Sequence, residues 1–193
     1  GKALTLQADT FERLCLGQLH ETLGPQDNED PIAHYLQVLA DKTGSLIAAS
    51  AELGVVYGDG PDEYREPMRI YGEKVGVAFQ LIDDVIDILS DASGKTPGTD
   101  LRAGVPTMPT LLLRASQDPE AKELIEIIDG GLEDDAQLAL AVSKLRKHPA
   151  LEEAYQLARS WAQDAVAALA PLPESPVKEA LKVFAEAVVD REQ

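Results

Sequence analysis

In the segment FQLIDDVIDILSD, Phe79 to Asp91, residues Gln80, Asp83, Asp84 and Asp87 recur at spacings of one, three and four. A helix gathers such spacings into one polar stripe on an otherwise apolar cylinder. Ionised carboxylates this close repel one another, so planting three of them among Leu81, Ile82, Val85, Ile86, Ile88 and Leu89 calls for a compensating charge. A hard divalent cation supplies it. Oxygen donors without a neighbouring histidine or cysteine suit magnesium shared with a phosphate better than zinc or a closed calcium cage. A solvated acidic face on a surface helix has the same pattern and stays open on this segment alone.

The rest of the chain is written in the same helical period. The 193 residues are the size of one domain, 45% of them apolar, with few aromatics and no convincing two-residue alternation. An all-α protein follows. Lys2 to about Leu23 forms a first helix, closed by Gly24-Pro25, and Asp30-Pro31 caps a second that runs toward Val56, with Gly44 as a point of breakage. After a turn over Tyr57 to Pro61, a helix from Pro61-Asp62-Glu63 reaches Leu89, with Pro67 a kink or boundary. Ser90 to Pro109, with three glycines and three prolines, is expected to be a loop. Further helices are expected at 109–117, 119–129, 134–147, 150–169 and 175–191, divided by Asp118-Pro119, Gly130-Gly131, His148-Pro149 and Pro171 to Pro176. Trp161, Val166, Leu169, Val177, Leu181 and Phe184 read as core or subunit packing.

The formal charge of −17 disfavours a nucleic-acid partner, which requires clustered lysine and arginine. No stretch approaches the roughly 20 apolar residues of a membrane span and no signal peptide opens the chain, so a cytoplasmic protein is expected. Cys15, the only cysteine, lies in a helical pattern and reads as a buried, inert thiol. His20, His34 and His148 have no zinc spacing.

Lys42, in LADKTGSLIAAS, either snorkels to solvent or faces a cavity that receives an anion. Thr43 adds a hydroxyl, and the small Gly44, Ser45, Ala48 and Ala49 permit close approach of another helix or a ligand. Lys95, in GKTPGTDL, stands among glycines that let the chain approach a phosphate, although the P-loop spacing is absent. Gln80 can bond a metal-bound water or a phosphate oxygen. Gln18, beside Gly17, is either a ligand contact or an interhelical hydrogen bond.

In order, the chain shows Gly17-Gln18, Tyr35 followed by Lys42-Thr43, Tyr71-Gly72 with Gly76 to Gln80, the DDxxD of Asp83 to Asp87, and GKTPGTDL from Gly94 to Leu101. This series resembles the second half of a trans-isoprenyl diphosphate synthase of the polyprenyl synthetase family. The resemblance implies an isoprenoid synthase helical bundle, here a partial one, with residues 1–193 the C-terminal part of a single domain that usually forms a homodimer. It implies condensation of an allylic diphosphate with isopentenyl diphosphate and release of pyrophosphate. Asp83 would hold one magnesium ion (Mg2+), with Asp84 and Asp87 acting through waters. Lys42 and Lys95 would grip the allylic diphosphate, and Thr43 and Gln80 would steady its reacting end. No dedicated base is implied, because the departing pyrophosphate collects the final proton.

Two departures from the family pattern stand out. The first aspartate-rich motif and the upstream basic contacts are missing, and Gly1 stands where a methionine would open a whole chain. Val105 occupies a position where many members carry a lysine. The chain alone is therefore expected to transfer little or no prenyl group. A non-catalytic helical subunit that lends its aspartates or an apolar surface to a partner is the alternative. A terpene cyclase-like enzyme shares the fold, but the KT, FQ and GKTPGTDL features favour chain elongation.

Overall fold

The computed structural model describes residues 1–89 and 96–191, and among these every regular element is helical. Helix boundaries follow local capping chemistry. Asp30, Asp118 and Asp134 accept backbone N–H bonds from the first turns of α2 (Pro31–Leu39), α7 (Pro119–Asp129) and α8 (Asp135–Leu145). Ser175 does the same for α10 (Pro176–Val189). Each side chain satisfies a donor the helix leaves orphaned, and proline at the first helical position forfeits nothing. The remaining helices are α1 (Lys2–Leu23), α3 (Ser45–Tyr57), α4 (Arg65–Leu89), α5 (Thr99–Ala103), α6 (Met108–Ala115) and α9 (Pro149–Ala168).

Three expectations are corrected. Gly44 does not break its helix: Ala40–Gly44 is a π-helical turn joining α2 to α3, and the Ser45 N–H reaches back to the Ala40 carbonyl. The stretch expected to be one loop contains α5, and α6 begins inside it at Met108. Cys15 is exposed rather than buried. Pro67 lies in the first turn of α4, where its missing N–H disrupts no helical bond.

The chain divides into two compact units, the first comprising residues 1–80 and 158–193 and the second residues 81–157. Helices α4 and α9 each contribute to both. In the first unit, glycine sets how closely helices approach. A Cβ on Gly72 would stand 2.7 Å from the Ile47 carbonyl oxygen, and one on Gly76 2.7 Å from the Gly44 Cα. The small residues after Thr43 thus admit another helix, α4, whose backbone lies directly against them. Tyr71, 3% exposed, donates its hydroxyl to the Leu181 carbonyl at 2.7 Å. Leu169 is buried as expected, whereas Val177 and Phe184 are exposed. Lys74 lies over the Trp161 ring and pairs with Asp164 at 3.0 Å.

The second unit is closed around Leu81, Ile88, Met108, Leu113, Leu124, Leu138 and Leu145, all less than 3% exposed. Arg146 donates to the carbonyls of Ile88 and Leu89, satisfying the carboxyl end of α4 with a cation where the helix dipole favours one. Gly98, at φ 79°, adopts a left-handed conformation ahead of α5, and a Cβ there would meet Val142 at 2.6 Å. Among the described residues, no helix is long and apolar enough to cross a membrane.

Candidate active site

The residues marked out by the sequence divide between the units. Lys42, Thr43 and Gln80 belong to the first; Asp83, Asp84 and Asp87 belong to the second. Lys95 lies outside the described residues.

In the first unit, packing brings Thr43 to Gln80. Residues 72, 76 and 80 recur every four positions along one face of α4, and the glycines press that face onto the backbone near Gly44 and Ala48. The next residue in the series meets the π turn. Thr43 Oγ1 donates to Gln80 Oε1 at 3.3 Å, linking positions 37 residues apart. Gln80 keeps its amide N–H groups for another acceptor. Lys42 Nζ pairs with Glu21 Oε2 of α1 at 2.5 Å, both side chains being partly exposed. Gln18 donates to the same Glu21 oxygen, one turn along α1, at 2.9 Å, and among the described residues it makes no interhelical bond.

In the second unit, two of the three stripe carboxylates hold backbone. Asp84, 6% exposed, accepts the N–H of Met108 at 2.9 Å and so caps α6. Asp87 accepts from Thr99 N–H at 3.2 Å, Thr99 Oγ1 at 3.0 Å and Asp100 N–H at 3.2 Å, which seats α5. Its own carbonyl accepts the Gly98 N–H at 2.7 Å. Asp83 is partly exposed. Val105, at the end of the α5 turn, is exposed.

Asp100, in the GTDL stretch, lies outside the stripe. Burial, with the charges of Asp87 and Asp83, raises its carboxyl above the ordinary carboxylate range. Hard carboxylate oxygens of this kind fit a divalent cation. Among the described residues no three acidic, histidine or cysteine side chains converge on one point as a complete metal cage. An ion bound by the stripe would need oxygen ligands besides those of the described side chains. Magnesium suits that arrangement, because it usually keeps waters and takes ligands from substrate phosphates.

A sequence profile of the polyprenyl synthetase family matches residues 1–145. Nonaprenyl diphosphate synthase of Mycobacterium tuberculosis is 40% identical over 192 residues, covering 98% of this chain and 57% of that protein. Octaprenyl diphosphate synthase of Haemophilus influenzae is 34% identical, covering 98% and 58%. Among solved structures, geranylgeranyl pyrophosphate synthase of Corynebacterium glutamicum, complexed with calcium and isoprenyl diphosphate, superposes with a TM-score of 0.91 at 39% identity. That match covers 98% of this chain and 60% of the other. The chain thus spans a little over half the length of the relatives it matches.

Proposed function

Because the chain belongs to the polyprenyl synthetase family, we propose that it forms the C-terminal part of a magnesium-dependent trans-prenyltransferase. The enzyme would join an allylic diphosphate head-to-tail to isopentenyl diphosphate in the cytoplasm. We further propose that both units belong to one synthase domain, a reading supported by the family match, which runs across the boundary at residues 80 and 81.

In this reaction the allylic carbon–oxygen bond breaks, pyrophosphate departs with the electron pair, and the alkene of isopentenyl diphosphate forms the new carbon–carbon bond. A proton is then lost, and pyrophosphate can accept it. Charge develops on the departing oxygens, so cationic groups fixed beside them stabilise the transition state more than the ground state. Lys42 would exchange Glu21 for a phosphate oxygen. Thr43 and Gln80 would orient the reacting end through their mutual hydrogen bond, with Lys95 a second phosphate contact. Asp83 would hold magnesium, with Asp84 and Asp87 contributing through waters while their caps fix α6 and α5. Magnesium, when bound, would offset the charge of the leaving pyrophosphate.

The observation that most supports this reading is the Thr43–Gln80 bond next to Lys42, which unites separate sequence motifs in one polar cluster. The test is calorimetric titration of the chain with inorganic pyrophosphate and magnesium, beside an assay with an allylic diphosphate and labelled isopentenyl diphosphate. The expected outcome is magnesium-dependent pyrophosphate binding, lost in Asp83→Ala, with little or no elongation by this chain alone. Binding that ignores both magnesium and Asp83 would return the stripe to a solvated acidic face. Robust elongation would overturn the expected inactivity.

A non-catalytic subunit that lends these groups to a partner chain is the second reading. It draws support from Leu4, Phe11, Leu19 and Leu23 of α1, each more than half exposed. The same side chains support association with a second copy, as a homodimer.

A further inference from the structure

We propose that Asp41 is the positioning residue of the π turn that presents Lys42 and Thr43, an inference that rests on the diphosphate-site reading above. Its carboxylate is 6% exposed and serves donors from two elements. Arg13 Nε of α1 donates to Oδ1 at 2.6 Å, and Gln37 Nε2 of α2 lies 3.0 Å from each carboxylate oxygen. Arg13 also reaches Glu73 Oε2 on α4 at 2.5 Å, so one guanidinium ties the turn to both helices packed on it. The backbone of Asp41 is held as well, because Ser45 Oγ donates to its carbonyl at 2.5 Å.

Gly17 completes the arrangement. A Cβ on that residue would stand 2.8 Å from the Asp41 Cβ and 3.1 Å from the Lys42 Cγ, so its absence lets α1 approach the turn. A π turn is a minor helical geometry that recurs at functional sites and needs local support to persist. Here a charged group is taken out of water to supply it. Burying an ion pair is a poor means of adding stability, and its best-attested use is to select one register among alternatives. The register selected here sets where residues 42 and 43 leave the helix, one toward Glu21 and the other toward Gln80.

The sign of one mutational effect separates positioning from simple electrostatics. Asp41→Asn keeps the shape but removes a negative charge beside Lys42. By charge alone it should tighten binding of a polyanion. If Asp41 positions the turn, the same change weakens binding, by roughly tenfold if a charge-assisted phosphate contact is misplaced. The experiment is titration of the 193-residue chain with inorganic pyrophosphate and magnesium, at a temperature where every variant is folded by circular dichroism. Glu52→Gln is the comparison for generic destabilisation. It breaks another nearly buried carboxylate–guanidinium pair of the first unit, with Arg65, and should leave the affinity within about twofold.

The proposal expects weakening in Asp41→Asn and in Lys42→Ala, but not in Glu52→Gln. Unchanged or tighter binding by Asp41→Asn, with Lys42→Ala weakened, overturns it alone. Equal weakening in Glu52→Gln also overturns it, because loss of stability would then account for the effect. A Lys42→Ala chain that binds like its parent instead overturns the site reading beneath it. Should Asp41→Asn fail to fold, Arg13→Lys takes its place: it leaves every charge unchanged, so electrostatics alone predicts unchanged binding, while loss of the guanidinium fork between Asp41 and Glu73 predicts weakening, and unchanged binding overturns the proposal.

Discussion

At the scale of single residues, three of the candidate side chains already hold partners. Lys42 faces Glu21, Asp84 faces the start of α6, and Asp87 faces the start of α5. These partners differ in what displacing them costs. The Lys42–Glu21 pair is partly exposed on both sides, and such pairs contribute at most about 1 kcal/mol. An incoming phosphate can displace Glu21 at little expense. Glu21→Gln should accordingly tighten pyrophosphate binding by about two- to fivefold, and the gain should shrink as salt screens the carboxylate it removes. Calorimetry at low and high ionic strength checks both parts, and unchanged affinity at low salt would show that Glu21 does not compete. Lys42, Thr43, Gln80 and the aspartates were legible as polar groups in apolar helical patterns. Asp41 was not, because its importance depends on an arginine 28 residues earlier in the chain. Asp100 escaped notice because it belongs to a glycine-rich segment rather than to the stripe, and only folding sets it among other carboxylates.

At the scale of elements, what was legible was local and what was missed was not. Asp-Pro and Ser-Pro announce helix starts because the cap and the helix it serves are within three residues. The π turn leaves no such mark: at its ends Leu39, Ala40, Gly44 and Ser45 keep ordinary right-handed helical angles, while the hydrogen-bond register shifts by one residue. Helix α5 is five residues long and seated by Asp87, which lies twelve residues before Thr99. Propensity alone would not form it. The glycine crossing yields the element-scale prediction. Gly76→Ala gains about 1 kcal/mol of helix propensity but drives a methyl into the Gly44 backbone, which cannot rotate away. Overpacking of this kind costs typically 1–3 kcal/mol and more when backbone must move, so a net loss is expected. Gly54→Ala in α3 is the matched control: its added Cβ meets nothing within 4 Å, and it should stabilise by up to about 1 kcal/mol. Urea titrations of both variants decide the matter, and a stabilised Gly76→Ala would refute the close crossing.

At the scale of the whole molecule, alkaline pH offers a probe of the first unit. Burial holds the Tyr71 phenol at a pKa of about 12, above its ordinary value of 10.0. The unfolded chain therefore releases this proton first. The contribution of Tyr71 to stability is complete below about pH 10 and declines as pH rises toward 12. Tyr71→Phe should remove that part of the decline and, at neutral pH, cost about 1 kcal/mol through loss of the bond to Leu181. Urea midpoints measured from pH 8 to 11.5 on both chains test this, parallel profiles being the contrary result. The all-helical architecture was legible because helical periodicity persists along the sequence. The division into two units was not, since α4 and α9 run through the boundary without a break in pattern. The π turn has a further consequence for how such chains vary in length. The π turn closes on the fifth residue where an α turn closes on the fourth, so losing one residue between Ala40 and Gly44 would restore the α register and leave the helices on either side facing as they do. An alignment gap at that place therefore marks loss of the turn that presents Lys42 and Thr43, while the flanking helices keep their packing.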